Sequence, residues 1–300
     1  MKTLYPDLEP FKTHTLVRGE HKLYVEQCGN SNGLPVVYLH GGPGSGCKPY
    51  HRCFFDPEKY HIIVFDQRGA GRSSPHGFRV DNATYHLLDD LEYIRVTLGI
   101  GKWLLFGGSW GGTLSLLYAQ HYPGNVSGMI LRGSFLARQC DMEWFVGEGV
   151  RKIFPDTWDL CFGDIQHSSS LELIHILHTM LDDRNMDVVV HATQAWYIWG
   201  TQIILGHEFD ARTFNADSLG MEVIEQARLE LHYAYNRYFV SENQILANCH
   251  QISDIPIILI HGRQDLTCPF ESSYLLHKSL PKSHLVVLQD AGHTLSLIHI

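Results

Sequence analysis

Ser109 stands in the stretch WLLFGGSWGGTLSLLYAQHYP (103–123), with Gly107 and Gly111 completing a G-x-S-x-G arrangement. The apolar run Trp103–Phe106 reads as a strand and Thr113–His121 as a helix. A strand-to-helix turn this tight excludes side chains two positions either side of the serine. It also strains the serine backbone and lifts the hydroxyl above the sheet edge. The chemistry that needs such a serine is nucleophilic acyl transfer. A serine lying by chance in a glycine-rich loop is the bland alternative, and the strand before and helix after it favour the nucleophile. Acyl transfer also needs backbone N–H donors aimed at the developing oxyanion. Trp110, the residue after the nucleophile, supplies one. A second glycine run, YLHGGPGSGC (38–47), supplies the other, with Gly42 the first choice and Gly41 the next. This run lacks the G-K-[ST] ending of a phosphate loop and the spacing of a dinucleotide fingerprint, so nucleotide binding is not indicated.

A base and an acid must follow downstream, in the order serine, acid, histidine. PIILIHGRQDLTCP puts Asp265 just past one strand, and LVVLQDAGHT puts His293 just past the next. His293 takes the serine proton, while Asp265 fixes the imidazole tautomer and stabilises the imidazolium. Asp290 competes for the acid role but lies too near His293 along the same loop. Asp66 and Arg68 in DQRGAGRSSP (66–75) precede the nucleophile and read as an ion pair shaping a neighbouring loop.

These groups need a scaffold that brings them to one edge. Short apolar runs at 36–39, 61–65, 103–106, 128–131, 256–260 and 285–288 have the continuous character of strands buried on both faces. Helical patterns alternate with them; in one, Leu87, Leu91, Ile94 and Leu98 share a face. The expected fold class is therefore α/β, a mostly parallel sheet flanked by helices. FKTHTLVRG and HKLYVEQCG, joined at Gly19–Glu20, read as an antiparallel hairpin on its edge. From Arg138 to Asn248 strand signals vanish and aromatic and aliphatic residues recur at helical spacing, as in EWFVGEGVRKIF and ATQAWYIWGTQIIL. We expect a core of 1–137 and 249–300 and an inserted α-helical cap of 138–248.

The composition, 44% hydrophobic and 18% charged, suits a globular protein. A formal charge of −9 argues against nucleic acid as a partner. The N-terminus carries Pro and acids where a signal peptide has its apolar run, and no segment reaches spanning length, so no membrane partner is expected. Seven scattered cysteines without a CxxC pair suit reduced thiols and a cytoplasmic location. Among the 20 histidines, His175 and His178 lack a third ligand and read as a helix-packed pair. No metal or cofactor is expected.

With HGGPG, DQRGAGRS, GGSWGG, GRQDLTCP and AGH in hand, the chain resembles the proline iminopeptidases of the α/β-hydrolase fold almost from end to end. The resemblance implies a cofactor-free serine aminopeptidase acting on peptides with N-terminal proline. It also implies a cap carboxylate that receives the substrate ammonium. A segment like R-x-E-x-H-Y maps onto Arg228, Glu230, His232 and Tyr233, making Glu230 the candidate. A second family carboxylate follows W-x-x-W; here AWYIWGTQ places Gly200 after Trp196 and Trp199, with Glu208 a conceivable substitute. Trp110, Trp144, Phe145, Trp196, Tyr197 and Trp199 are candidates for the apolar pocket, Trp110 foremost because it adjoins the nucleophile. Cys268 is placed near the site, where bulky thiol reagents are expected to block it. An esterase or lactonase of the same fold, or a catalytically impaired scaffold, are the rival readings. Family members continue past AGHT into a helix that LSLIHI (295–300) cannot make. The expectation is a lost or replaced C-terminal segment, with reduced stability or activity.

Overall fold

The computed structural model describes residues 4–215 and 219–294. The expectation about LSLIHI concerns residues outside that set. Eight strands form one sheet: β1 (Lys12–Arg18), β2 (His21–Gly29), β3 (Leu34–Leu39), β4 (Tyr60–Phe65), β5 (Trp103–Gly108), β6 (Val126–Arg132), β7 (Ile257–Gly262) and β8 (Ser283–Leu288). Their order is β1-β2-β4-β3-β5-β6-β7-β8. β1 and β2 pair antiparallel at the edge, as the hairpin reading required, and β2 meets β4 antiparallel. From β4 through β8 every pairing is parallel. The six apolar runs are thus the six parallel strands. Val36, Val37, Ile62, Ile63, Val64 and Leu105 are fully buried, as strands covered on both faces demand.

Helix α1 (Thr84–Thr97) buries Leu87, Leu91 and Ile94 against the sheet, while Leu98 caps its end half-buried. Helix α2 (Trp110–His121) starts immediately after Ser109, three residues earlier than the sequence suggests. β5 correspondingly runs on to Gly108, so the connecting turn is the serine itself.

Between β6 and β7 the described residues contain no strand. They hold α3 (Gln139–Val146), α4 (Pro155–Phe162), α5 (Ser170–Met180), α6 (Met186–Leu205), α7 (Met221–Tyr235) and the short α8 (Gln244–Ala247). Ser169 and Asn185 open α5 and α6 by accepting hydrogen bonds from the Glu172 and Asp187 N–H groups. The helical reading of EWFVGEGVRKIF is interrupted: α3 stops at Val146, and Gly147 and Gly149 carry the chain through a non-helical bend. Helix α9 (Phe270–Ser279) joins β7 to β8. The chain therefore has the α/β-hydrolase architecture with an inserted α-helical region.

The cap side is tied to the sheet side by polar contacts. The Tyr233 hydroxyl donates to the Asn82 side chain at 2.9 Å, and Trp144 Nε1 donates to the Leu266 carbonyl at 2.8 Å. Leu229 of α7 rests on Gly44 and Gly69, where an added β-carbon would come within 3.2 Å of it. Those glycines let α7 settle onto the loops that follow β3 and β4.

Candidate active site

Ser109 occupies φ 54°, ψ −125°, a left-handed conformation that costs a residue with a β-carbon roughly 1–3 kcal/mol. The fold holds it there. Its N–H donates to the Arg132 carbonyl on β6 at 2.9 Å, and its carbonyl accepts the Gly112 N–H at 2.9 Å. The flanking glycines are sterically obligatory. A β-carbon on Gly107 would lie 2.3 Å from the Gly111 carbonyl oxygen, and one on Gly111 only 2.0 Å from the Leu39 oxygen.

Asp265 and His293 meet as the strand order anticipated. His293 Nδ1 and Asp265 Oδ2 are 2.8 Å apart, and the Asp265 side chain is wholly buried. The other carboxylate oxygen accepts the N–H groups of Thr267 and Cys268 at 2.9 and 2.8 Å. His261 adds a contact at 3.4 Å while donating Nε2–H to the Cys268 carbonyl at 2.8 Å. Burial by itself would push the Asp265 carboxyl up. The charge of His293 and the hydrogen bonds from His261 and His293 outweigh it and hold the group far below the carboxylate range. Asp265, not Asp290, is the carboxylate that pairs with His293.

Gly133, absent from the sequence reading, abuts this pair. It has φ +51°, and a β-carbon there would sit 3.1 Å from Asp265 Oδ2 and 3.3 Å from His293 Nδ1. Nothing in LRGSF (131–135) signals that role.

Ser109 and His293 face one cavity of about 430 Å³, whose wall includes Gly41, Gly42, Arg132, Phe135, Phe145, Trp196, Gly200, Glu230, Tyr238 and Cys268. Gly41 borders the nucleophile: a β-carbon on it would lie 3.6 Å from Ser109 Cβ. Behind the loop, burial pushes the His40 imidazole down, keeping it neutral, and His40 Nε2 accepts the Gln67 N–H at 3.0 Å.

The pocket role given to the Trp110 side chain is corrected. Its ring is fully buried, packs on Tyr233 and Tyr238, and donates Nε1–H to Gln67 at 2.9 Å. The helix that starts at Trp110 turns the ring inward, so only its main chain stays beside Ser109. Of the other aromatic candidates, Phe145 and Trp196 line the cavity and Trp144, Tyr197 and Trp199 do not. Trp199 instead packs against Trp158 and Phe162 in the cap core.

Glu230 faces the cavity from α7. Trp196 Nε1 donates to one of its oxygens at 2.6 Å and Gln226 Nε2 to the other at 2.8 Å. Burial pushes its carboxyl up, and the two hydrogen bonds pull only partly against that. Gly200 lies on the same wall with open space where a β-carbon would point. Glu208 is exposed and off the cavity wall, so it does not replace the missing carboxylate. Tyr238 enters from a run of three left-handed residues after α7, Arg237, Tyr238 and Phe239 (φ 51°, 56°, 53°). Thr84 Oγ1 anchors that turn through the Tyr238 carbonyl at 2.5 Å.

Cys268 lines the cavity, but burial and the Asp265 charge push its thiol well up. Asp66 and Arg68 do not pair with each other. Asp66 accepts from Arg72 at 2.8 Å, and Arg68 reaches Asp90 on α1 at 2.6 Å. Both are loop-shaping, with partners the local spacing did not show. His175 and His178 pack on Tyr235, and among the described residues no cluster of three or more metal-ligating side chains occurs.

A family model for the alpha/beta hydrolase fold matches residues 35–299. Proline iminopeptidase from Xylella fastidiosa (strain 9a5c) is 43% identical over 299 residues, covering 98% of this chain and 94% of that protein. The chain belongs to the proline iminopeptidase family. Members from Arabidopsis thaliana and Neisseria gonorrhoeae are each 40% identical, over 98% and 97% of this chain and 78% and 93% of theirs. Among solved structures, an α/β fold family hydrolase from Bacillus anthracis superposes with a TM-score of 0.61 at 18% identity, over 95% of this chain and 94% of that one. An esterase from Rhodococcus sp. ECU1013 gives 0.59 at 18%, over 96% and 92%. Likeness at that identity is of fold alone, and the family assignment rests on the closer sequences.

Proposed function

We propose that this chain is a serine aminopeptidase that releases N-terminal proline from peptides. The observation that carries the reading is one cavity holding both Ser109, beside the Asp265–His293 pair, and the deep carboxylate Glu230. A hydrolase of neutral esters has no use for a buried anion in its pocket, whereas an aminopeptidase must receive a protonated amine.

Ser109 Oγ attacks the prolyl carbonyl carbon as His293 Nε2 takes its proton. The N–H groups of Trp110 and of the Gly41–Gly42 loop receive the oxyanion. The C–N bond then breaks, the leaving amine takes the proton from His293, and an acyl-enzyme remains. Water, deprotonated by His293, attacks that ester, so proline departs and Ser109 regains its proton. Asp265 stays ionised throughout. Phe135, Phe145, Trp196 and Tyr238 enclose the ring of the substrate, and Glu230 meets its ammonium. The cap, 138–248, is read as the specificity unit on a core of 1–137 and 249–300. Free cysteines, six of the seven buried, support a reducing, cytoplasmic setting.

The test compares prolyl arylamide with p-nitrophenyl esters, for the wild type and for Glu230→Gln. The expected result is efficient prolyl arylamide cleavage, with KM raised about tenfold or more in Glu230→Gln while Ser109 still reacts with a fluorophosphonate. Efficient ester cleavage without arylamide turnover would establish the esterase reading, and an unlabelled Ser109 the impaired scaffold.

A further inference from the structure

Arg132 is the last residue of β6, and its carbonyl holds the Ser109 N–H. Its side chain lies over Gly108, the residue before the nucleophile: a β-carbon on Gly108 would be 3.4 Å from Arg132 Nη2. The guanidinium rests near the faces of Phe106 and Phe54, 5.1 and 5.2 Å from the ring centroids, and lines the same cavity as Ser109 and Glu230.

The three buried arginines, Arg52, Arg68 and Arg138, and the more exposed Arg72 each have a carboxylate partner. Arg132 makes no ion pair among the described residues; its guanidinium meets the Tyr38 hydroxyl, a neutral group, and its buried Nε has no hydrogen-bond partner. Aromatic faces compensate a cation only in part. A guanidinium always carries its charge, and its donors form a fork matched to a carboxylate. In a cavity with one carboxylate from the cap and one cation from the sheet that lacks a carboxylate partner, the complementary ligand is a short zwitterion.

We propose that Arg132 binds the carboxylate of a short substrate, so that dipeptides with N-terminal proline and a free C-terminus are the preferred class. This rests on the aminopeptidase reading above. With the ammonium at Glu230 and the scissile carbonyl at Ser109, we assign the residue after proline to the Arg132 side, because that guanidinium lies over Gly108, next to the nucleophile. Its C-terminal carboxylate supplies the counter-charge that the Arg132 guanidinium lacks. The cavity volume, about 430 Å³, lies towards the small end of ligand sites of roughly 300–1,000 Å³, which also favours a short ligand. A carboxylate on the side chain of the second residue has the same chemistry, and separate substrates distinguish the two sources.

The experiment measures kcat/KM for prolyl-alanine, prolyl-alanine amide and prolyl-glutamic acid α-amide, with prolyl arylamide as the carboxylate-free reference. For the wild type we expect the free dipeptide to exceed its amide by about tenfold or more, equivalent to about 1.4 kcal/mol. In Arg132→Gln that ratio should fall towards one, and in Arg132→Lys it should be intermediate, because the ammonium lacks the fork. A ratio taken within each variant cancels any general loss of activity. Should Arg132→Gln fail to fold, the wild-type ratio and Arg132→Lys still decide. Equal turnover of acid and amide by the wild type, or a preference that survives Arg132→Gln, overturns the proposal and leaves the aminopeptidase reading standing. Preference only for the α-amide carrying a glutamate moves the contact to the side chain and overturns the dipeptide class. No hydrolysis of the arylamide or of any dipeptide overturns both readings.

Discussion

At the residue scale the site depends on small side chains as much as on reactive ones. Gly133 holds φ +51° with its missing β-carbon 3.1 to 3.4 Å from Asp265 and His293. Gly133→Ala should therefore displace the imidazole by a few tenths of an ångström and strain the backbone together. The expected outcome is a fall in kcat of roughly tenfold or more with KM little changed, since base positioning is lost and substrate contacts are not. Steady-state kinetics on prolyl arylamide check it. Ser109, Asp265 and His293 were legible because strand ends and glycine spacing mark them. Gly133 was not, because its significance comes from neighbours more than a hundred positions away, and Arg132 was not, because Phe54, Gly108 and Glu230 meet it from other elements. Trp110 shows the reverse error: adjacency in sequence said nothing about which way the ring would turn once α2 began there.

Helix α6 shows how one position can reshape a pocket. Gly200 lies within it, on the cavity wall, and a β-carbon there meets nothing within 4 Å. A helix-interior glycine costs about 1 kcal/mol relative to alanine. Gly200→Glu should fold at least as stably as the wild type and add a second anion to the cavity. We expect KM for prolyl arylamide to drop severalfold with kcat within about twofold, read from kinetics and a melting curve. An unchanged KM would separate position 200 from ammonium recognition. The elements themselves were largely legible: parallel strands announce themselves as unbroken apolar runs, and cap helices by their spacing. What misled was α3, where helical spacing on paper ran through two glycines that the chain uses to bend.

Across the whole molecule, buried charge links segments that lie far apart in the chain. Glu26 on β2 accepts from both Arg52 and Arg72, and Arg72 also holds Asp66. Burial would raise the Asp66 carboxyl. The hydrogen bonds and charge of Arg72 outweigh that and hold it below the ordinary carboxylate value. A carboxylate depressed in the folded state contributes stability above its unfolded value, and loses that contribution as pH falls through its folded one. Asp66→Asn should cost about 3 kcal/mol at pH 7, the low end for a broken buried pair because Arg72 is partly exposed. Its urea-unfolding curve should converge with that of the wild type as pH drops below about 4. A constant difference across pH would show that packing, not charge, is responsible. Only its Asp66–Arg72 pair lies within DQRGAGRSSP; Glu26 and Arg52 come from β2 and the segment before β4. The paired partner of a buried charge is a property of tertiary arrangement.

The left-handed run Arg237–Tyr238–Phe239 has a consequence for anyone selecting hardier versions of this enzyme. Each of those residues gives up roughly 1–2 kcal/mol that glycine would not. A screen rewarding survival on heating would thus be drawn to glycine at 237 or 239 among its easiest gains. It would be drawn to the wrong place. The same turn aims the Tyr238 ring into the cavity, so loosening it would trade a defined wall for a wandering one, and heat-selected winners would return with blurred discrimination between substrates.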